Sequence, residues 1–258
     1  LDIATLFLKS RLGHHYVHVN IAENLNNMII HTDFKQIDQV IEFISETLES
    51  DDTRPTDQIF LNKLIQFKLM VEIIKHSTSP NKETHYKDVL IEKIYSTLAL
   101  SINDFNIAYL SEYNLDFIEI RLLIVYCEIL RLKDLYLDAI EILEVLREKT
   151  IYKMEYDNNH LDLLFKIYFN LAYCHHRNDN HKEVIINCDK GLQLSRQHMN
   201  YSLMHAFLFR KAVALFRIDK FSESETTIED CIAMLRIVGK ESLAAQYKKI
   251  FDDMYYKT

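Results

Sequence analysis

The sequence predicts an all-α protein, a superhelical solenoid of helix pairs, and three observations carry that expectation. Only three glycines and two prolines occur among 258 residues, of which 48% are hydrophobic. A large core is therefore available, but the turn formers of an all-β or α/β chain are missing. Apolar residues recur at i, i+3, i+4 and i+7 along nearly the whole length, the spacing that places them on one face of a helix. Small residues also recur at fixed offsets. Cys127, Ala172 and Ala212 are followed at +12 by Ala139, Val184 and Ser224, and at +19 by Leu146, Gly191 and Cys231.

In chain order, the periodicity predicts helices over 2–12, 15–31, 34–49, 55–76, 83–100, 103–111, 115–131, 135–148, 158–177, 181–197, 201–217, 221–237 and 240–256. The stretch 19–48, "VNIAENLNNMIIHTDFKQIDQVIEFISETL", reads as a weak helix pair, and 56–100 as a second that is barely recognisable. The longest loops are "ESDDTRP" (49–55) and "HSTSPNKE" (76–83), where polar residues surround the only two prolines and helices must stop. These are inter-helix turns rather than domain linkers. Three clearer pairs follow, joined by the turns "LKDLY", "RNDNHK" and "RIDKF". The final helix sets Leu243, Tyr247, Ile250, Phe251 and Met254 on one side, as a solenoid cap or part of a dimer interface.

The offsets have a physical cause. Antiparallel helices joined by a tight turn approach closely only where side chains are small, and such points fall at fixed distances from the turn. The pattern resembles the tetratricopeptide repeat, with first-helix small residues in "YFNLAYCHH" and "LFRKAVALF" and second-helix ones in "YLDAIEILEVL", "HKEVIINCDKGL" and "FSESETTIEDCI". It lacks that repeat's usual tryptophan and closing proline. Successive repeats are offset by 45 and then 40 residues, so the helices are long.

Charge and composition exclude several functions. The net charge is −8, and no basic run interleaved with aromatics gives a footprint for nucleic acid. There is no signal peptide and no apolar run long enough to span a membrane. All four cysteines (Cys127, Cys174, Cys188, Cys231) fall inside apolar helical patterns, where a free thiol behaves as a small hydrophobe, so a reducing cytoplasm is the expected compartment. No phosphate loop, H-E-x-x-H, nucleophile elbow or EF-hand loop is present, and no enzymatic activity and no cofactor are expected. The carboxylate pairs Asp51-Asp52 and Asp252-Asp253 read as solvated charge.

The segment "NLAYCHHRNDNHKEVIINC" (170–188) raises the question of a metal site. Cys174, His175, His176, His181 and Cys188 are ligand types suited to zinc. However, 174, 175 and 176 are consecutive on one helix and point about 100° apart, while Cys188 occupies the core-facing position that Leu143 and Ile228 hold in the neighbouring pairs. No metal is expected, and His14-His15 and His85 read as polar residues at helix starts.

In stacked repeats the first helix of each pair lines the concave side. Its inward residues here are Arg121 and Glu128, then Lys166, Phe169, Asn170, Tyr173 and Arg177, then Phe209, Arg210, Val213 and Arg217. Cations, aromatics and one amide together suit an extended peptide. The amide hydrogen-bonds its backbone, the aromatics bury its side chains, and Arg or Lys meets its carboxylates. The alternative for these positions is a solvated face with ordinary core aromatics.

From "FKIYFNLAYCHHRNDNHKEVIINCDKGLQLSRQHMNYSLMHAFLFRKAVALFRIDKF" through "IEDCIAML", the chain resembles the regulatory domain of PlcR-type and Rgg-type regulators, the peptide-pheromone-sensing transcription factors of Gram-positive bacteria. "LDIATLFLKSRLGHHYVHV" is similar to the last helix of the helix-turn-helix domain that precedes the repeats there. The resemblance implies that 1–18 ends such a domain or a linker helix, and that 19–258 form the tetratricopeptide-like peptide-binding and dimerisation domain. It further implies a short signalling peptide as ligand, a homodimer, DNA contact only through the missing N-terminal helix-turn-helix, and no membrane. Asn170 in "YFNLAY" matches an asparagine that holds the pheromone backbone. The corresponding positions carry Val125 and Arg210, and the basic pair of the PlcR branch is not reproduced in "MIIHTDFKQ". The alternatives are a repeat adaptor for a partner protein's tail, or a pheromone-controlled phosphatase, for which Gln36 and Gln39 are the nearby candidates for a catalytic glutamine.

Overall fold

The computed structural model describes residues 58–77, 84–154 and 160–255, and among them every regular element is helical. The expected helices over 2–12, 15–31 and 34–49, the segment 1–18, and Gln36 and Gln39 lie outside the described residues. The chain divides into two compact units, residues 1–108 and 109–258.

In the first unit, α1 (Gln58–Ser77) packs on α2 (Thr84–Leu98). Met70, Val71 and Ile73 of α1 and Leu90, Ile94 and Leu98 of α2 are buried. Gln66 pins the pair: its Nε2 donates to the Thr97 carbonyl at 3.0 Å and to Ser101 Oγ at 2.7 Å.

The helix expected over 103–111 does not form. The chain turns after α2, Asp104 takes a φ of 53°, and a 3₁₀-helix follows at Ile107–Glu112, with Tyr109 off helical geometry. The reason lies in "NDFN" (103–106). Asn and Asp tolerate the left-handed region, and Asn106 Oδ1 accepts the Ala108 N–H at 3.0 Å, giving the backbone a local partner in place of a helical one.

The second unit contains α3 (Phe117–Leu132), α4 (Tyr136–Met154), α5 (Leu161–Arg177), α6 (His181–Gln197), α7 (Met204–Arg217), α8 (Phe221–Ile237) and α9 (Glu241–Tyr255). A capping box starts α3: Asp116 Oδ1 accepts the Glu119 N–H at 3.0 Å while Glu119 Oε2 accepts the Asp116 N–H at 2.7 Å. Each helix packs on its sequence neighbours, and the first helices also touch one another, α3 on α5 and α5 on α7. The +12 and +19 positions do what their spacing implies. Cys127, Ala139 and Leu146, then Ala172, Val184 and Gly191, then Ala212, Ser224 and Cys231 are all buried at the helix crossings. Ser224 adds a polar link across its crossing, its Oγ donating to the Ala212 carbonyl at 2.7 Å. Cys188, Leu143 and Ile228 share their core position, as the template requires.

The turns repeat in detail. Asp134, Asp179, Met199, Asp219 and Gly239 each take a φ between 52° and 71° two residues past the end of a helix. The next residue's N–H returns to the carbonyl five positions back: Leu135 to Leu130, Asn180 to His175, Asn200 to Ser195, Lys220 to Leu215 and Lys240 to Leu235, at 2.8–3.1 Å. This is the six-to-one bond of the Schellman motif, and it closes a helix without proline and with a single glycine. The last helix, α9, buries Ala244 and Phe251. Leu243, Tyr247 and Met254 pack on the same core, but Ile250, expected on that side, faces solvent.

Candidate peptide-binding face

The residues expected to hold a peptide lie on α3, α5 and α7 and fall into three groups. The middle group is the most closely knit. Arg210 of α7 lies over the Phe169 ring at 4.3 Å and over the Tyr173 ring at 5.1 Å, and its Nη1 donates to the Phe169 carbonyl at 3.1 Å. Arg131 of α3 lies over Tyr173 at 4.4 Å. The Tyr173 ring thus meets two guanidinium groups, each gaining from the negative face of a π-system. Asn170 sits beneath them and is only 3% exposed. Its Nδ2 donates to the Lys166 carbonyl at 3.0 Å, and its Oδ1 accepts from Arg131 Nη1 at 3.4 Å, which is long for such a bond. The amide expected to act on a ligand and not on the core is therefore already engaged within the fold.

The second group joins Arg121 and Glu128 of α3 to Lys166 of α5, with Asp162 of α5 beside them. Arg121 is 8% exposed, and its Nη1 has no hydrogen-bond partner. Burial lowers its pKa, and the fields of Glu128 and Asp162 oppose that shift. The Lys166 amine is brought down to about 8 by burial and then by the Arg121 charge, against the pull of Asp162 and Glu128. Asp162 Oδ1 in turn accepts from Asn200 Nδ2 at 3.2 Å.

The third group is dispersed. Phe209 is covered by Tyr247 of α9, the rings stacked with centroids 4.1 Å apart, and Val213 is buried. Arg177 is exposed and reaches back to α4, where its Nε donates to Tyr136 Oη at 3.1 Å. Arg217 is exposed; burial first, and then the charges of Arg210, His181 and Arg217, hold the His176 imidazole below its ordinary pKa.

Arg131 and Asp162 also contribute here though the residue pattern does not single them out, and Tyr247, expected only on the apolar side of the last helix, covers Phe209. Arg131 was detectable as the residue one turn beyond Glu128 on α3. It aligns with His176 and Phe216 in the later repeats, so a row drawn by residue type alone passes it over.

The Cys- and His-rich stretch spans the end of α5 and the first half of α6. Cys174 and Cys188 are buried, and burial pushes their thiols up to about 11 and about 12. The His176 and His181 rings lie 5.8 Å apart, and among the described residues no group of three His, Cys, Asp or Glu side chains is arranged to hold a metal ion. Two cavities lie away from the expected face. One, of about 330 Å³, opens between α4, α5 and α6 around Tyr168 and Lys190, and the other, of about 210 Å³, lies between α8 and α9 around Ile232 and Phe251. Among the described residues no helix is long and apolar enough to cross a membrane.

No family model matches this chain, and no curated relative does. Its architecture has solved counterparts. PlcR of Bacillus thuringiensis in its apo form superposes with a TM-score of 0.62 at 11% identity, over 91% of this chain and 79% of that one. PlcR in complex with the peptide PapR7 and DNA gives 0.61 at 10% identity, over 92% and 76%. The chain shares the fold of PlcR. An all-α array of tetratricopeptide-like helix pairs is what the two have in common.

Proposed function

We propose that this chain is the sensing part of a cytoplasmic quorum-sensing transcription regulator, in which a short signalling peptide lies across the face of α3, α5 and α7. The chain acts as a homodimer and performs no catalysis. It reaches DNA through a helix-turn-helix head that precedes the repeats, and bound peptide stabilises one arrangement of the helix stack and so repositions the heads. The observation that carries this reading is the cluster of Arg131, Asn170, Tyr173, Phe169 and Arg210, set on a fold shared with a protein solved in complex with a peptide and DNA. The long contact between Arg131 and Asn170 is readily exchanged for a peptide backbone, because the amide offers both a donor and an acceptor.

Calorimetric titration with short peptides encoded beside the gene tests the reading. Binding by wild type that falls about five- to a hundred-fold in Asn170→Ala, the loss of roughly 1–3 kcal/mol of hydrogen bonding, supports it. Undiminished affinity in a folded Asn170→Ala variant places the ligand elsewhere.

A further inference from the structure

We propose that the α3–α5 end of this face is a carboxylate receptor, in which Arg121 and Lys166 together take a carboxylate of the bound peptide and so fix its register. The inference rests on the peptide reading above and adds the chemistry of one subsite. Arg121 is nine-tenths buried with Nη1 unpartnered. Leaving a charged donor unsatisfied away from water is costly, and such a group calls for an acceptor. A second cation, Lys166, stands close enough for the Arg121 charge to depress its amine. Two like charges share a partly dry site, so an anion placed between them relieves both.

The neighbouring acids leave this need unmet. Glu128 and Asp162 act on Arg121 through the field alone, with no ion pair to it, and Asp162 already accepts from Asn200. They also select the ligand's charge. A monoanion with two oxygens matches the planar fork of Arg121 and the single point charge of Lys166, whereas a dianionic phosphate would face two carboxylates. At the other end of the face the guanidinium groups of Arg131 and Arg210 are engaged by Asn170, the Phe169 carbonyl and aromatic rings. The donor left unmet is therefore at Arg121. From there the face continues through Phe169 and Tyr173, which suits apolar side chains next to the anchored carboxylate.

The carboxylate has two sources, the peptide's C-terminus or an acidic side chain, and three pools of random heptapeptides separate them. One pool has free C-termini, one is C-terminally amidated, and one has free C-termini but lacks Asp and Glu. Each is passed over the immobilised 258-residue chain and retained peptides are counted by mass spectrometry. A terminal carboxylate predicts at least tenfold poorer retention of the amidated pool, and an acidic side chain predicts the same loss in the pool lacking Asp and Glu. In either case Arg121→Gln retains the favoured pool about tenfold less well than wild type. Lys166→Gln, at a half-buried position, gives the same direction of change if Arg121→Gln fails to fold. Equal retention of all three pools, unchanged by either substitution, overturns the carboxylate receptor and leaves the peptide reading standing. No retention of any pool removes both.

Discussion

Gly191 on α6 meets the ring of Phe207 on α7 so closely that a β-carbon added to Gly191 would lie 2.4 Å from Phe207 Cζ. Phe207 is fully buried and cannot swing away. Gly191→Ala should therefore lower stability by about 1–3 kcal/mol through overpacking. Chemical denaturation checks this, and Phe207→Leu placed in the Gly191→Ala background should recover part of the loss. An Ala variant as stable as wild type would mean that the α6–α7 crossing is looser than the Gly191–Phe207 contact requires.

Asp179 bears a left-handed backbone at the α5–α6 turn, with φ of 55°. Its carboxylate is almost fully exposed, and its nearest ion partner, His181, is 3.9 Å away. Little is lost with the side chain, so Asp179→Gly should raise stability by about 0.5–1 kcal/mol. Asp179→Val should lower it, because a β-branched residue fits this region worst. Thermal unfolding of the two variants should move in opposite directions.

Asn170→Ala has an expected effect before any ligand is added. It removes the acceptor of Arg131 and the donor to the Lys166 carbonyl. A loss of about 1–2 kcal/mol in the peptide-free protein follows, measured by denaturant titration. Arg131→Ala made in the Asn170→Ala background should cost less than it does alone, since the shared contact is already gone.

Stability should change with pH at both ends of the neutral range. Lys166 titrates at about 8 in the folded chain and near its ordinary value when unfolded. Between those values the unfolded state binds more protons, so the penalty of burying the charge, present in full below pH 8, is relieved as pH rises through that window. Burial also lowers the imidazoles of His175, His176 and His205. Unfolded histidines protonate first on acidification, so stability should fall as pH drops below about 6.5. Unfolding midpoints measured across pH give the sign of both effects, and Lys166→Met should remove the alkaline one.

The four cysteines should be silent toward a thiol reagent at pH 8 in the native protein and react together on unfolding. All are buried, and desolvation pushes Cys174 up to about 11 and Cys188 and Cys231 up to about 12. Fast labelling of Cys174 or Cys188 in folded protein would contradict their place in the core.

The repeat template was legible because close helix crossings restrict side-chain size, and restricted size leaves a mark in the sequence at +12 and +19. The turns were legible as polar interruptions, but their left-handed aspartates were hidden, because Asp also fits ordinary turns. The helix expected over 103–111 failed where Asn106 offered the backbone a bond that periodicity does not register. On the candidate face, residue type identified the cations and aromatics. It did not show that Asn170 is held by Arg131, nor that Phe209 is covered by Tyr247. Those are relations between repeats, and the pattern within one repeat carries no information about them.

Because each helix of the second unit rests mainly on its neighbours in sequence, and first helices otherwise pack chiefly on the next first helix, this unit is mechanically a series of joints. A small rotation at one crossing is not resisted by distant contacts, and rotations at successive crossings add along the stack. A wedge set across α3, α5 and α7 would act on two joints at once. In such a series the far end of the unit would travel farther than any atom near the wedge.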